Sequence, residues 1–149
     1  MHQVFISIGS NIDPLKNVDK AKTLLDDHFD CTYSGLYETI AEGFEGNDFV
    51  NCVVGFETDI DPILLNEKLK EIEKNMGRTE SQKGMSNRVI DLDLILYGDL
   101  VINNNNISIP SDEIGKHAFI LEPLAEIAGD IKHPVSKKSF YSILKELNS

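Results

Sequence analysis

A hydrophobic run that contains two aspartates limits the possible folds of this chain more than any other segment. Residues 90–97 read Ile-Asp-Leu-Asp-Leu-Ile-Leu-Tyr, which predicts a β-strand, although aspartate is disfavoured in strands. Side chains alternate across a strand, so Asp91 and Asp93 should share one face, about 6–7 Å apart along the chain. The other face should pack on the core through Ile90, Leu92, Leu94 and Leu96.

Two aspartates on one strand face have two interpretations. Like charges this close repel each other unless a cation lies beside them, and Mg²⁺ accepts one or two protein carboxylates when phosphates supply its other ligands. An exposed face of an antiparallel sheet also tolerates acidic residues without any ligand. Arg88, which precedes Asp91 on the same segment, favours the metal and phosphate interpretation because its guanidinium fork matches phosphate oxygens.

The charge balance limits the partners that this chain can bind. Its 149 residues include 25 acidic and 14 basic side chains, with a net charge of −11, which argues against nucleic acid or an anionic membrane as the main partner. A polyanionic substrate would need metal ions or a local basic cluster. No segment approaches the roughly 18 apolar residues of a membrane span, and we expect no signal peptide. We therefore expect a cytoplasmic protein, and the net charge is consistent with a monomer.

The two cysteines point to the same compartment. Cys31 and Cys52 fall in separate strand-like runs and lack the spacing of metal ligands. They are expected to be reduced thiols in or near the core.

The hydrophobic patterns predict one α+β domain over residues 1–149. Strand patterns occur at 4–8, 31–38, 48–58 and 90–97, and helices should begin at Asp13-Pro14 and Asp61-Pro62. The predicted apolar stripes are Leu15, Val18, Ala21 and Leu25 in the first helix and Leu65, Leu69, Ile72 and Met76 in the second, which Gly77 should end. The order βαββαβ is typical of a ferredoxin-like fold with an antiparallel sheet. A connection over 98–109 and extra C-terminal helices near 117–128 and 136–147 complete the prediction.

The third predicted strand carries an aromatic ring beside an amide. Alternation places Phe49, Asn51 and Val53 on one face of this strand. A flat, nitrogen-rich heterocycle could stack on Phe49 while the carboxamide of Asn51 reads its edge. The alternative is that Phe49 belongs to the core and Asn51 is a solvated strand residue.

The segment before the two aspartates holds the best local supply of positive charge. Arg78, Lys83 and Arg88 surround Gly84, and arginine matches phosphate oxygens. Such a loop could close over a phosphate chain as a lid, or it could be an ordinary solvated loop. The sequence contains neither a Walker-type loop nor a GxGxxG motif, so a P-loop or Rossmann nucleotide site is not expected.

Taken together, these motifs resemble the 6-hydroxymethyl-7,8-dihydropterin pyrophosphokinase family, over nearly the whole chain. The most specific part is Gly77-Arg78 followed by Arg88-x-x-Asp91-Leu92-Asp93. The other matching segments are Ile8-Gly9-Ser10-Asn11, Tyr37-Glu38-Thr39, Phe49-Val50-Asn51, Ile109-Pro110, the run from Phe119 to Ala128, and His133-Pro134.

The resemblance implies a function and a set of site residues. The function is diphosphate transfer from ATP to a pterin alcohol, with release of AMP, in folate biosynthesis. The resemblance implies that Asp91 and Asp93 hold two Mg²⁺ ions on the ATP phosphates. It also implies roles for six other residues: Phe49 and Phe119 stacking on the pterin, Asn51 and Thr39 reading its edge, and Arg78 and Arg88 stabilising the moving diphosphate. Arg88 and Glu73 would also lie on the nucleotide side.

The sequence departs from the family pattern where positive charge is usual. Glu80 replaces an arginine, Ser111 replaces a histidine, and His117 replaces a more basic residue. Met85 and Ile40 replace a usual aromatic residue and a usual proline. We expect a lower ATP affinity or rate than in a typical member. Two alternatives therefore stay open: a paralogue that binds pterin as a binding or regulatory module, and a related metal-dependent transferase that acts on another heterocyclic alcohol.

Overall fold

The fold is described from a computed structural model of the chain, over residues 1–40, 47–79, 87–104 and 107–149. The strands are β1 (His2–Ser10), β2 (Thr32–Tyr33), β3 (Tyr37–Thr39), β4 (Phe49–Thr58), β5 (Asp91–Tyr97), β6 (Ile102–Asn103) and β7 (Ser108–Ile109). The helices are α1 (Pro14–Asp26), α2 (Pro62–Asn75), α3 (Ala118–Ala128) and α4 (Phe140–Leu147), with a short 3₁₀ helix at Asp112–Gly115.

The main sheet has the predicted ferredoxin-like topology. Its order is β2-β4-β1-β5, and β3 pairs with β4 beside β2. All of these pairs are antiparallel. β1 therefore lies between β4 and β5, and each βαβ unit skips one strand, as in the split βαβ arrangement. The predicted α+β fold with an antiparallel sheet and extra C-terminal helices is confirmed.

Helices cover both faces of the sheet. On one face, α1 and α2 pack on apolar side chains of β1, β4 and β5. On the other face, α3 and the first residue of α4, Phe140, pack on a second apolar cluster that includes Phe5, Val53 and Ile95. This second cluster covers only part of its face. The part that remains carries the polar side chains described below.

A register shift in β5 changes the face of one predicted core residue. Phe5 pairs with Leu96 and Ile6 pairs with Leu94, so Ile95 is an extra residue on β5. Leu92 and Leu94 pack with α1 and α2, as predicted, but Leu96 packs in the second cluster with α3. The prediction that Leu96 shares a face with Leu94 is wrong because a β-bulge breaks the period of two.

The starts of α1 and α2 were predicted correctly, but the roles of individual side chains in α1 were not. Helix α2 begins at Pro62 as predicted, and the Asp61 side chain caps it by accepting a hydrogen bond from Ile63 N–H. Asp13 precedes α1 but its side chain makes no capping bond, because its backbone is left-handed, with φ 40°. Leu15 is 63% exposed, so its predicted place in the apolar stripe of α1 is wrong. Gly77 follows α2 with φ 101°, as a helix-ending glycine does.

The remaining predictions differ from the structure mainly in element length. The predicted strand at 31–38 is two short strands, β2 and β3, and α4 begins at Phe140 rather than near 136. The predicted connection at 98–109 contains the paired strands β6 and β7. Among the described residues, no helix has the length and apolar character needed to cross a membrane.

Candidate active site

Three neighbouring strands bring the predicted site residues to one face of the sheet. Gly9 of β1 pairs with Asn51 on one side and with Asp91 on the other. Ser7 of β1 likewise pairs with Asp93. Because side chains alternate along each strand, the amide and both carboxylates rise from the same face, and the prediction that the two aspartates share a face is confirmed.

Gly9 keeps the floor of this face open. A Cβ atom at Gly9 would lie 2.9 Å from Oδ1 of Asn51, closer than ordinary van der Waals contact. A glycine inside a strand often marks a place where a ligand or another group approaches closely. Gly9 thus leaves a gap between Asn51 and Asp91.

A cavity of about 240 Å³ lies over this gap. Its lining includes Thr39, Phe49, Asn51, Arg88, Asp91, Asp93 and Phe119. The structure therefore brings together the predicted pterin, metal and arginine positions, which come from distant parts of the sequence. Arg78 and Glu73 do not line this cavity, although Arg78 contacts one of its aspartates.

The aromatic and amide side chains form one end of the cavity. Thr39 of β3 pairs with Phe49 of β4, and Asn51 Nδ2 donates a hydrogen bond to Thr39 Oγ1 at 2.9 Å. Phe119, at the start of α3, lines the same cavity, and its ring stacks on His117 with centroids 4.8 Å apart. The oxygen of the Asn51 carboxamide remains able to accept a hydrogen bond from a ligand edge.

Asp91 is held by two arginines. Arg78 Nη1 lies 2.8 Å from Asp91 Oδ1, and Arg88 Nη1 lies 2.9 Å from Asp91 Oδ2. Burial opposes the charged form of this carboxyl, but the positive charges of Arg88, Lys70 and Arg78 outweigh that effect and lower the pKa of Asp91. Asp91 is therefore ionised at neutral pH and keeps both guanidinium groups beside the cavity.

Asp93 is the more accessible carboxylate. Its side chain is 44% exposed, and Oδ1 lies 3.1 Å from Lys70 Nζ. Partial burial and the neighbouring charge of Asp91 raise the pKa of Asp93 to about 7. Burial is the larger cause, and a cation beside the two aspartates would relieve the part of the pKa shift that comes from Asp91.

The donor set fits a magnesium ion that is completed by a substrate. In the described parts of the chain, no group of three or more His, Cys, Asp or Glu side chains is arranged to hold a metal. Two carboxylates alone leave most of an octahedral shell empty, and phosphate oxygens and water are the usual partners of Mg²⁺ in such sites. Asp91 and Asp93 would hold the metal together with a phosphorylated ligand.

Glu73 supports the cationic side chains beside the two aspartates. It is only 4% exposed. Its Oε2 accepts hydrogen bonds from Leu92 N–H at 2.6 Å and from Lys70 Nζ at 3.2 Å, and its Oε1 lies 3.0 Å from Arg78 Nη1. Burial raises the pKa of Glu73. These contacts make Glu73 an anchor for Arg78 and Lys70, and its implied place on the nucleotide side stays a prediction.

Asn11 is a site residue whose role the sequence did not reveal. The side chain is fully buried. Its Nδ2 donates to Asn47 O at 3.2 Å and to Asn87 Oδ1 at 2.8 Å, and its Oδ1 accepts from Arg88 N–H at 2.6 Å. Asn11 therefore ties together the described ends of two loops, and its place in a motif after β1 was the only available signal.

Glu126 is a second residue of this kind. One of its carboxylate oxygens accepts a hydrogen bond from Tyr37 Oη at 2.6 Å, and the other accepts from Gly35 N–H at 3.0 Å. This hydrogen bond from Tyr37 is the main reason that the pKa of Tyr37 is raised to about 12. The contacts join α3, which carries Phe119, to the segment that carries Thr39.

A second pocket of about 280 Å³ shares Asp93 and Glu113 with the cavity. Its other lining residues are Asn66, Lys70, Leu94, Ile107, Ser108 and Ser111. It offers apolar side chains together with hydroxyl and amide groups. Asp93 therefore lies between the cavity and the second pocket.

Sequence comparisons identify the family. The profile described as 7,8-dihydro-6-hydroxymethylpterin-pyrophosphokinase (HPPK) matches residues 5–129. The chain belongs to the HPPK family. A protein named 2-amino-4-hydroxy-6-hydroxymethyldihydropteridine pyrophosphokinase from Haemophilus influenzae is 32% identical over 142 residues, which cover 92% of this chain and 88% of the relative. A protein of the same name from Aquifex aeolicus is 35% identical over 141 residues, which cover 93% of this chain and 88% of the relative.

Solved HPPK structures share the fold. Wild-type Plasmodium falciparum HPPK-DHPS with pteroate superposes with a TM-score of 0.79 at 15% identity and covers 97% of this chain. The match spans only 44% of that longer chain, so it concerns one part of it. At this identity the likeness shows the HPPK fold alone.

Ser111 and His117, which depart from the usual HPPK pattern, lie beside the two pockets. Ser111 lines the second pocket, and its Oγ accepts a hydrogen bond from Glu113 N–H at 3.3 Å. His117 lines the cavity beside Phe119. Glu80, Lys83, Gly84 and Met85 lie outside the described residues, as does most of the predicted lid.

Proposed function

We propose that this protein transfers diphosphate from Mg·ATP to the hydroxymethyl group of 6-hydroxymethyl-7,8-dihydropterin and releases AMP, as a step of folate biosynthesis. The observation that carries the proposal is that one cavity holds both the aromatic and amide pair and the two aspartates. Its relatives are named as pyrophosphokinases of this pterin. A pterin placed against Phe49 would have its reactive group near Asp91 and Asp93.

The pterin end of the cavity supports recognition of a flat heterocycle. Phe49 and Phe119 supply aromatic faces, and stacking of this kind contributes about 0.5–1.5 kcal/mol beyond area burial. Asn51 and Thr39 supply hydrogen-bonding groups for the polar edge of the ring. Asn51 is hydrogen-bonded to Thr39, and Glu126 holds the preceding segment through Tyr37 and Gly35, so these contacts arrange the pocket before the ligand arrives.

The aspartate end supports the chemistry. Mg²⁺ bound by Asp91 and Asp93 supplies charge neutralisation and alignment of the phosphates; we propose two ions. Arg78 and Arg88 lie against Asp91 and are placed to donate to phosphate oxygens as negative charge moves. The pterin hydroxyl oxygen forms a bond to the β-phosphorus of ATP, the bond from that phosphorus to the oxygen shared with the α-phosphate breaks, AMP leaves, and the hydroxyl proton passes to solvent.

The second pocket is our candidate for the nucleoside of ATP. It shares Asp93 with the cavity, so a nucleotide there would place its phosphates at the two aspartates. Leu94 and Ile107 offer apolar contact to a base, and Asn66 and Ser108 offer hydrogen bonds.

We also propose that residues 1–149 act as one pterin pyrophosphokinase-like domain, as a monomer, with the pterin and ATP as ligands. The net charge of −11 argues against nucleic acid and anionic membranes as partners. The two free thiols are consistent with a reducing, cytoplasmic compartment.

Release of AMP from Mg·ATP, with and without the pterin, tests the proposal. We expect AMP to form only when the pterin is present. Binding of the pterin without any AMP would contradict the enzyme assignment and favour a binding or regulatory module. Family membership and the intact aspartate pair support the enzyme over that alternative.

A further inference from the structure

We propose that Lys70 binds a phosphate group of ATP and that it pairs with Asp93 only while the nucleotide is absent. This inference rests on the proposed function and extends it to a residue outside the motifs of the sequence analysis. Lys70 lies on α2, beyond the cavity that would hold the pterin. It lines the second pocket together with Asp93.

The contacts of Lys70 place its ammonium group at the junction of the two binding spaces. Nζ lies 3.1 Å from Asp93 Oδ1, 3.2 Å from Glu73 Oε2 and 2.9 Å from Leu92 O. An ammonium group has three N–H donors, so these partners can use all of them. Glu73 and the backbone oxygen fix the position of Nζ, while Asp93 is the exchangeable partner because it is half-exposed.

The charge of the second pocket explains why Lys70 is needed there. Among the described residues that line this pocket, Asp93 and Glu113 are acidic and Lys70 is the only basic one. A triphosphate that enters a pocket with this lining would be repelled in the absence of a cation. Lys70 is 43% exposed, so its ammonium group can meet a ligand without movement of α2.

Lys70 and a metal ion would compete for Oδ1 of Asp93. When Asp93 takes up Mg²⁺ with the nucleotide, Lys70 loses one partner and gains a free donor beside the phosphates. Loss of Lys70 should therefore have opposite effects on two ligands. Mg·ATP should bind more weakly, because a phosphate contact is lost, whereas Mg²⁺ alone should bind more tightly, because Asp93 has lost its competing cation.

The test compares Lys70→Met, Lys70→Gln and Lys70→Arg in the full chain by calorimetry. The ligands are Mg²⁺ with a non-hydrolysable ATP analogue, Mg²⁺ alone, and the pterin. Because each of these two substitutions removes a charged hydrogen-bond donor, we expect Lys70→Met and Lys70→Gln to lower the affinity for the analogue by about tenfold or more. Lys70→Arg should restore most of the affinity, and the pterin should bind all variants equally.

Lys68→Gln is the matched control. Lys68 lies on the same helix and is exposed, so the substitution makes the same charge change away from both pockets. It should leave the affinity for the analogue unchanged. Thermal unfolding of each variant shows that the chain is folded.

Two results would overturn the inference. If Lys70→Met lowers the melting temperature but binds the analogue and Mg²⁺ as the wild type does, Lys70 has only a structural role. If Lys68→Gln lowers the affinity for the analogue as much as Lys70→Gln does, the effect comes from net charge alone. Wild-type protein that binds the pterin and the analogue but forms no AMP would contradict the proposed transfer and leave this inference standing, and wild-type protein that does not bind the analogue would contradict both.

Discussion

Asn11 and Arg88 exchange hydrogen bonds across the site. Arg88 N–H donates to Asn11 Oδ1 at 2.6 Å, and Asn11 N–H donates to Arg88 O at 3.1 Å. The turn after β1 is thereby joined to the residue that brings a guanidinium to Asp91. The position of Arg88 depends on a residue 77 positions away in the sequence.

Replacement of Asn11 by alanine should loosen this junction. Asn11→Ala leaves the partly buried N–H of Arg88 without its side-chain acceptor, which should lower the free energy of unfolding by about 1–3 kcal/mol and also reduce turnover. Urea denaturation and a steady-state assay measure the two effects. Asn75→Ala, on the exposed end of α2, is the control and should change neither quantity. Wild-type stability in Asn11→Ala would show that the junction contributes nothing.

Gly9 should determine the space available to the pterin. In Gly9→Ala the new methyl group would lie 2.9 Å from Asn51 Oδ1 and displace the carboxamide that we propose reads the pterin edge. Overpacking of this kind costs about 1–3 kcal/mol, so we expect pterin affinity to fall about tenfold. Calorimetry with the pterin measures the change.

The control for Gly9 is another glycine. A Cβ atom at Gly115 meets nothing within 4 Å, so Gly115→Ala should bind the pterin as the wild type does. Equal pterin affinity in Gly9→Ala and Gly115→Ala would contradict the assignment of the cavity floor.

Asp91 should be required for turnover but not for pterin binding. Asp91→Asn keeps the shape of the side chain and removes the charge that faces Arg78 and Arg88, together with one of the proposed metal ligands. Metal-assisted charge neutralisation is worth several kcal/mol, so AMP formation should fall by about 100-fold or more. Pterin affinity should stay within about twofold of the wild type. Asp99→Asn, an exposed substitution, should leave both measurements unchanged, and substantial turnover in Asp91→Asn would refute the metal assignment.

Both thiols should react slowly in the native protein. Burial raises the pKa of Cys31 and of Cys52 to about 11, so little thiolate is present at pH 8 and the rate should rise as the pH approaches 11. Relative to a free cysteine, modification by a thiol reagent at pH 8 should be slower by a factor on the order of 100. In urea both thiols should react rapidly. A thiol that reacts fast in the native state would contradict this picture.

The sequence predicted those parts of the fold that depend on local pattern. Apolar alternation located β4 and β5, and Asp61-Pro62 located the start of α2. Local pattern could not predict the bulge at Ile95, because it depends on pairing with β1. The exposure of Leu15 was missed for a similar reason, since the extent of the core at one end of α1 is set by its neighbours.

The site shows the same limit. Asp91, Asp93, Phe49 and Asn51 could be predicted because each departs from, or completes, a strand pattern. Asn11, Glu126 and Lys70 were not singled out, since all but one of their hydrogen-bond partners described above lie 22 to 91 positions away in the sequence. Polar residues of this kind look like ordinary surface residues until the fold brings their partners beside them.

Phosphorus NMR of a reaction with equal amounts of Mg·ATP and 6-hydroxymethyl-7,8-dihydropterin tests the central claim most directly. The account predicts that the ATP resonances are replaced by those of AMP and of a pterin that carries two coupled phosphorus atoms. Unreacted ATP, or ADP together with a pterin monophosphate, would contradict transfer of diphosphate at the Asp91 and Asp93 site.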